Sequence, residues 1–192
     1  MCETLYYDVD GVLLDFCGPF ADFWNKGAEE KLWKGDNIEK NPLTWNFGLN
    51  YDIKDTAEAL DEFHRIHEHL PVMHEDLPSI LDKLKCKYRI ELVTAYPNEN
   101  KRIKNLLHHN LPYDKLTCGV TDKLSYIKEC ESNGATVVAI FEDGPHHLEA
   151  FLPHYANKIW APRCWKYLAP YENDSRIRLY ETPHEWMTLL NL

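Results

Sequence analysis

Two aspartates near the start of the chain, Asp8 and Asp10, are separated by a single residue and followed by Gly11. They end an apolar and aromatic stretch, residues 5–9, whose composition predicts a β-strand. Side chains two residues apart in an extended chain point to the same side, so the two carboxylates converge as the strand ends. Gly11 permits a sharp turn directly after them.

Converging carboxylates repel each other, and a divalent cation or a shared proton must relieve that repulsion. An oxygen-rich site at a strand end suits Mg²⁺, which keeps water ligands and accepts phosphate oxygens from a substrate. One carboxylate can then attack phosphorus as a nucleophile. The other can pass a proton to the leaving group. The pair therefore predicts metal-assisted phosphoryl transfer.

Two other structures are also compatible with an Asp-x-Asp-Gly sequence. A calcium-binding EF-hand loop also starts with Asp-x-Asp, but it needs an acidic or amide residue at its fifth position and Glu at its twelfth. Those positions hold Val12 and Pro19, which excludes the EF-hand. The second interpretation is an ordinary strand-ending turn rich in Asp and Gly, and the first motif alone does not decide against it.

Two later strands also end in polar residues. Residues 88–94 are rich in Ile, Leu and Val and finish at Thr94, whose hydroxyl can hold phosphoryl oxygens together with backbone amides. Residues 137–141 form a continuous apolar run, typical of a buried parallel strand, and are followed by Glu142 and Asp143. Helical stretches between these strands predict a parallel α/β sheet whose polar residues gather at one edge.

Lys123 lies where a short predicted strand, about residues 116–119, gives way to a helix. An ammonium group there can screen a nucleophile from the phosphate and balance developing charge. The alternative is a surface lysine in a first helical turn. Lys101 and Lys104 compete for the role, but neither lies at a strand junction. His146 and His147 open a further helix. They could lie near the mouth of the site, but capping of the helix at the surface is the favoured interpretation.

Residues 16–75 predict a small helical insertion with many aromatic side chains. Most of these aromatics are expected to form its core. A pocket for a flat group such as a nucleobase needs one or two of them exposed. The candidates are Phe20, Trp45 and Phe47.

The composition limits the class of protein. The 192 residues are 44% hydrophobic and carry a formal net charge of −10, which disfavours long nucleic acids as partners. No apolar run is long enough to span a membrane. The six cysteines have irregular spacing, which predicts free, mostly buried thiols in a reducing compartment. Without a recognisable signal peptide, a soluble cytoplasmic protein is expected. The oligomeric state is not predicted.

The sequence resembles the haloacid dehalogenase (HAD) superfamily of aspartate-nucleophile phosphatases. The resemblance covers nearly the whole chain and rests on four motifs in order, which are Asp8-Val-Asp10-Gly11-Val-Leu-Leu-Asp15, Thr94, Lys123 and Glu142-Asp143. It implies an α/β fold, a Rossmann-like parallel sheet of about five strands sandwiched by helices. It also implies a core domain of residues 1–15 and 76–192 and a helical cap of residues 16–75.

The resemblance further implies Mg²⁺ as the cofactor, held by Asp8, Asp143 and the backbone carbonyl of Asp10. Asp8 would be the nucleophile that forms an aspartyl-phosphate, and Asp10 the general acid and base. Glu142 would support a ligand or bind through water; the family more often has Asp or Gly there. The phosphate-binding residues implied are Thr94, Ala95 and Lys123.

The Thr121-Asp122-Lys123 sequence resembles the 5′(3′)-deoxyribonucleotidase branch of this superfamily. Together with the aromatic cap, it predicts a 5′-nucleotidase acting on small (deoxy)ribonucleoside monophosphates. The alternatives are a phosphatase or phosphomutase acting on sugar phosphates or other small metabolites, and a non-catalytic phosphate- or metal-binding module.

Overall fold

A computed structural model describes residues 2–30, 37–43, 54–67 and 69–191; for residues 54–57 and 191 it describes the backbone alone. In this part of the chain, six strands form one parallel sheet in the order β3-β2-β1-β4-β5-β6. The strands are β1 Cys2–Tyr7, β2 Arg89–Val93, β3 Lys115–Thr117, β4 Ala135–Phe141, β5 Ile159–Pro162 and β6 Ile177–Tyr180. The expected α/β sandwich is confirmed, with one strand more than the five expected.

The connections between strands are mainly helical. The α-helices are α1 Cys17–Glu29, α2 Lys54–Ile66, α3 Leu77–Lys85, α4 Glu99–His108, α5 Lys123–Ser132 and α6 Pro145–Tyr155. Two 3₁₀ helices, Lys166–Tyr171 and Pro183–Asn191, flank β6. Side chains cap α4 and α5: Asn98 accepts from the backbone N–H of Lys101, and Asp122 accepts from that of Ser125. The second cap places Lys123 at the first position of α5.

Apolar side chains cover both faces of the sheet. Neighbouring residues of a strand alternate between two buried clusters, since Tyr7 belongs to one and Tyr6 to the other. Leu81 of α3 packs in the first cluster, and Ile127 of α5 and Phe151 of α6 pack in the second. The sheet therefore lies between two helical layers, as buried parallel sheets require.

The chain reverses its direction of winding between β1 and β4. Neighbouring β1 and β2 pair Tyr7 with Leu92, and neighbouring β1 and β4 pair Tyr7 with Phe141. The residues that follow these strands consequently emerge at the same level. In open parallel sheets, ligands bind in the crevice at such a switch point, at the carboxyl ends of the strands.

The helical segment between β1 and α3 leaves and rejoins the sheet at adjacent points. The N–H of Asp15 donates to the carbonyl of Pro71 at 2.8 Å, and the N–H of Met73 donates to the carbonyl of Leu13 at 2.9 Å. Between these two crossings, α1 and α2 pack against each other. Phe20 of α1 and Phe63 of α2 meet edge to face with ring centroids 5.4 Å apart.

Two expectations from composition can be compared with the structure. All six cysteines are free, but Cys2, Cys86 and Cys164 are exposed, so the expectation of mostly buried thiols is wrong. Across the described ranges, no helix has both the length and the apolar character needed to cross a lipid bilayer.

Candidate active site

Asp8 follows directly after β1 at the centre of the sheet. Its backbone N–H continues the ladder by donating to the carbonyl of Phe141 at 2.8 Å. Its carboxylate accepts from the N–H of Val9 at 2.7 Å through Oδ1, while Oδ2 lies 2.7 Å from Nζ of Lys123. Burial raises the pKa of Asp8 to about 7 against the lowering effect of Lys123. A second cation beside Asp8 would favour its ionised, nucleophilic form.

Lys123 lies between two carboxylates. Its Nζ is 2.7 Å from Oδ2 of Asp8 and 2.7 Å from Oε2 of Glu142, and its side chain is 4% exposed. Burial works to lower the pKa of Lys123, but the carboxylates of Asp8 and Glu142 raise it above its usual value. The ammonium is therefore charged at neutral pH and ties the end of β1 to the end of β4.

Glu142 and Asp143 follow β4 and are both buried. Oε1 of Glu142 accepts from the N–H of Gly144 at 2.9 Å, so this carboxylate is held at both oxygens. Burial, and then the charges of Asp8 and Glu142, raise the pKa of Asp143 well above its usual value. Crowding of this kind favours binding of a cation.

The three acidic groups are arranged as a metal site requires. One ligand oxygen from each of Asp8, Glu142 and Asp143 lies within 4.8 Å of the others. When ionised they carry three negative charges, and Lys123 supplies one positive charge, so a divalent cation would balance the cluster. Carboxylate oxygens are the ligands that Mg²⁺ prefers. The residues present therefore fit Mg²⁺.

Thr94 follows β2 and is 1% exposed. Its Oγ1 accepts from the backbone N–H of Tyr96 at 3.1 Å. Because the oxygen accepts there, the hydroxyl hydrogen can donate to an anion in the adjoining cavity. Ala95 lines the same cavity. The structure thus brings together, around one cavity, the sequence-predicted residues Asp8, Asp10, Thr94, Ala95, Lys123, Glu142 and Asp143.

Asp10 has a partner that the sequence did not reveal. Its Oδ2 accepts from a guanidinium nitrogen of Arg102 on α4 at 2.5 Å. The Arg102 side chain is only 3% exposed and stacks over the ring of Tyr96 at 4.7 Å. Among the described residues, the other oxygen of Asp10 is buried without a hydrogen-bond partner. Arg102 therefore fixes the carboxylate and leaves one oxygen for another group.

The cavity in front of these residues has a volume of about 330 Å³, within the range of small-molecule sites. One side is formed by the polar residues at the strand ends, and we call Asp8, Asp10, Thr94, Lys123, Glu142 and Asp143 the catalytic edge. Another part of the lining is largely apolar, and we call Phe16, Leu60, His64 and Tyr96 the apolar wall. Burial lowers the pKa of His64, so its ring is neutral at pH 7.

None of the three aromatic residues predicted for the pocket is found to line the cavity among the described residues. Phe20 is 1% exposed and packs against Phe16 in the interior of the helical segment instead of lining the cavity. Its position on α1 points the side chain toward α2, where its ring meets Phe63 edge to face. Trp45 and Phe47 lie outside the described residues.

Several residues of the cavity were missed by sequence reasoning. Phe16 lies just before α1 and lines the cavity, although it was not among the aromatic candidates for the pocket. His146 and His147 also line the cavity. His146 is exposed, as expected, whereas His147 is only 8% exposed, so its interpretation as a surface residue is wrong. The sequence did carry one signal for these histidines, which is that they follow closely after Glu142 and Asp143.

Comparisons with known proteins support the fold. No protein-family model matches the sequence, and no curated protein matches it. A predicted phosphatase from Clostridium acetobutylicum has a similar structure, with a TM-score of 0.69 and 15% identity over 100% of both chains. A candidate β-phosphoglucomutase from Thermotoga maritima gives a TM-score of 0.65 and 18% identity over 98% of both chains.

A third similar structure is a HAD-superfamily hydrolase of subfamily IA from Geobacter sulfurreducens. Its TM-score is 0.64 with 15% identity, covering 98% of this chain and 100% of the other. These similarities extend over whole chains, whereas the sequence identities are low. They therefore establish the fold: the chain has the parallel α/β fold of the HAD-superfamily hydrolases.

Proposed function

We propose that the protein is a Mg²⁺-dependent phosphomonoester hydrolase that works through an aspartyl-phosphate on Asp8. The observation that supports this most is the buried cluster in which Lys123 joins Asp8 to Glu142 beside Asp143. This cluster faces a cavity of small-molecule size at the switch point of the sheet. A fold kept only for structure has no need to bury so many charged groups together.

Asp8, Asp143 and the backbone carbonyl of Asp10 would hold the Mg²⁺, with Glu142 supporting the site through Lys123 and Gly144. When bound, the cation would neutralise phosphate charge and make phosphorus more electrophilic. The remaining steps belong to the protein. Thr94, the Ala95 amide and Lys123 bind the phosphoryl oxygens and orient the phosphorus toward Asp8.

The reaction proceeds in two displacements. A carboxylate oxygen of Asp8 forms a bond to phosphorus as the bond to the leaving oxygen breaks, and Asp10 donates its proton to that oxygen. Water then attacks the phosphorus of the aspartyl-phosphate and gives a proton to Asp10, which acts as the base. The second step releases inorganic phosphate and regenerates Asp8. Arg102 holds Asp10 within reach of both transfers.

For the substrate, a sugar phosphate or another small phosphorylated metabolite is the better-supported class. The structure from Thermotoga maritima, which has the same fold, is described as a candidate β-phosphoglucomutase, and none of the three structures compared above is described as a nucleotidase. A phosphomutase would use the same first step but pass the phosphoryl group back to a sugar.

A nucleoside 5′-monophosphate is the second candidate substrate. The observation in its favour is the apolar wall, where Phe16, His64 and Tyr96 offer flat surfaces to a base. The rings of His64 and Tyr96 are 4.7 Å apart, so their contact with each other already uses part of these surfaces. The wall therefore supports, without requiring, a nucleobase as the group opposite the phosphate.

The division into a core of residues 1–15 and 76–192 and a cap of residues 16–75 is part of the same proposal. The adjacent crossings of the chain, at Asp15–Pro71 and Leu13–Met73, support it because a cap that pivots needs its two linkers side by side. Phe16, Leu60 and His64 come from the proposed cap and face the cavity. The cap would thereby contact the part of the substrate that is not phosphate.

The test is release of inorganic phosphate from a panel of sugar phosphates and of nucleoside 5′- and 3′-monophosphates, with Mg²⁺ and with EDTA. Turnover that needs Mg²⁺ and is concentrated on sugar phosphates is the expected result. Turnover concentrated on nucleotides would keep the mechanism and select the second substrate class. Conversion of a sugar phosphate to its isomer without phosphate release would identify a mutase. Metal-independent turnover, or none on any compound, would contradict the proposed function.

A further inference from the structure

A short segment after β5, residues 164–167, contacts Asp143 of the catalytic edge and the neighbouring turn at Gly11, and we call this segment the strap. The indole N–H of Trp165 donates to the backbone carbonyl of Gly11 at 2.8 Å. The hydroxyl of Tyr167 donates to Oδ2 of Asp143 at 2.6 Å. Both side chains are buried, at 6% and 5% exposure, so water competes little for either bond.

The two points held by the strap are themselves in close contact. Gly11 has a φ of 79°, and a Cβ placed on it would lie 2.0 Å from Oδ2 of Asp143. The carboxylate of Asp143 therefore rests directly on the Gly11 backbone, in space that any side chain would fill. The rings of Trp165 and Tyr167 are stacked, with centroids 5.9 Å apart and an angle of 8° between them. The Gly11 turn, the carboxylate and the two rings form one packed unit.

The outer side of the strap is held by the segment between α1 and α2. The amide of Asn41 donates to the carbonyl of Cys164 at 2.7 Å and accepts from the N–H of Lys166 at 2.9 Å. These two hydrogen bonds flank Trp165 in the sequence and restrain its backbone on both sides. An exposed ion pair between Lys166 and Glu39, at 3.2 Å, adds little because it is in water.

We propose that Tyr167 and Trp165 are positioning residues for the metal site, and that Asn41 restrains them from the proposed cap. Tyr167 occupies one oxygen of Asp143 and stops rotation of the carboxylate, which leaves the other oxygen for the cation. Trp165 holds the Gly11 turn against the same group. Groups that orient a metal ligand in this way typically contribute 10- to 100-fold to metal affinity. The inference rests on the proposed metal site at Asp8 and Asp143.

The first test is the variant Tyr167→Phe, which removes one hydroxyl and keeps the stacked ring. Calorimetric titration of the metal-stripped full-length protein with MgCl₂ should show a dissociation constant raised by about 10-fold. The matched control is Tyr171→Phe on the same 3₁₀ helix, whose hydroxyl is 3.4 Å from its partners and does not touch Asp143. Its affinity for Mg²⁺ should stay within about 2-fold of the wild type. Unchanged affinity in Tyr167→Phe would overturn the inference.

A second readout separates positioning from folding. In Tyr167→Phe, the Mg²⁺ concentration for half-maximal phosphate release should rise about 10-fold, while kcat at saturating Mg²⁺ stays within about 3-fold of the wild type. A merely structural role would lower activity by the same factor at every Mg²⁺ concentration. Trp165→Phe should act in the same direction, and Asn41→Ala should weaken Mg²⁺ binding by about 2- to 3-fold because it acts through the strap.

Failure of this inference can be told apart from failure of the proposed function. If the wild-type protein binds no Mg²⁺ in the calorimeter, the metal site itself is wrong and the inference is overturned with it. If the wild type binds Mg²⁺ and releases phosphate, but Tyr167→Phe and Trp165→Phe match it in both measurements, only the positioning role is wrong. Loss of Mg²⁺ binding in Tyr171→Phe as well would show a general effect of the 3₁₀ helix and would also overturn the proposal.

Discussion

The two sides of the cavity are built in different ways. The catalytic edge consists of residues that directly follow strands or begin a helix, such as Asp8 after β1 and Asp143 after β4. The apolar wall comes mainly from the helical segment, with Phe16 before α1 and His64 within α2. Sheet register fixes the first set, whereas packing between helices fixes the second. Chemistry and substrate choice can therefore change independently in this fold.

The largest effect is expected at the centre of the catalytic edge. Asp8→Asn keeps the shape of the side chain but removes the proposed nucleophile, and kcat for phosphate release should fall by about 1,000-fold or more. The fold should survive, because Lys123 keeps its second partner, Glu142. Asp82→Asn on the exposed side of α3 is the control and should retain full activity. Substantial turnover by Asp8→Asn would mean that another group attacks phosphorus.

Lys123→Met tests whether the edge depends on its buried cation. Removing one member of a buried ion cluster leaves uncompensated charge, so the free energy of unfolding should fall by about 3–5 kcal/mol. Phosphate release should also fall, by about 100-fold. Denaturant unfolding measures the first effect, and added Mg²⁺ should recover part of it. The exposed Lys128→Met on the same helix should change neither quantity.

Arg102→Lys tests the link from α4 to Asp10. A lysine keeps the charge but cannot both stack on Tyr96 and hold the Asp10 carboxylate. With alkyl phosphates, whose leaving groups need a proton, we expect kcat to fall by about 10- to 100-fold. The loss should be smaller with p-nitrophenyl phosphate, whose leaving group needs little protonation. Equal losses of kcat on both substrates would indicate an effect on folding. The control is Lys104→Met at an exposed position of α4, which should keep kcat unchanged on both substrates.

His147, which lines the cavity beside the catalytic edge, is expected to make the stability of the folded state depend on pH. Burial lowers the pKa of His147 to about 3, below the usual value of 6.5, so the folded state keeps the ring neutral. The unfolded chain takes up the proton as the pH falls below 6.5, and the folded state loses about 2 kcal/mol of stability between pH 7 and pH 5. In denaturant unfolding, His147→Gln should lose less stability between pH 7 and pH 5 than the wild type, and the difference should be that amount. If the free energy of unfolding falls equally with pH in the wild type and in His147→Gln, this assignment is contradicted.

The smallest effect is expected on the apolar wall. Phe16→Leu should raise KM by about 2- to 5-fold for the preferred substrate and leave kcat within about 2-fold, since the wall binds the substrate and its transition state alike. Phe23→Leu in α1 is the matched control, because Phe23 packs on Phe63 and His67 without lining the cavity. A large loss of kcat in Phe16→Leu would mean that the wall acts on the chemistry.

Sequence reasoning was most informative for features that depend on residues close together in the chain. The strand-ending positions of Asp8 and Thr94 followed from apolar runs that stop at a polar residue, and both lie at the carboxyl edge of the sheet. Lys123 was placed by the helix start that Asp122 caps. In contrast, Phe20 and Phe16 look alike in the sequence, yet only Phe16 reaches the cavity.

What the sequence alone determined is the order of strands and helices and the polar residues that end them, because periodicity and turn signals act over a few residues. The tertiary structure alone decided the contacts between distant residues, such as Arg102 with Asp10 and Tyr167 with Asp143. These partners are separated by 92 and 24 residues. No local pattern encodes such pairs, since packing and burial in three dimensions select them. The same reason explains why the catalytic edge was foreseen and the apolar wall was not.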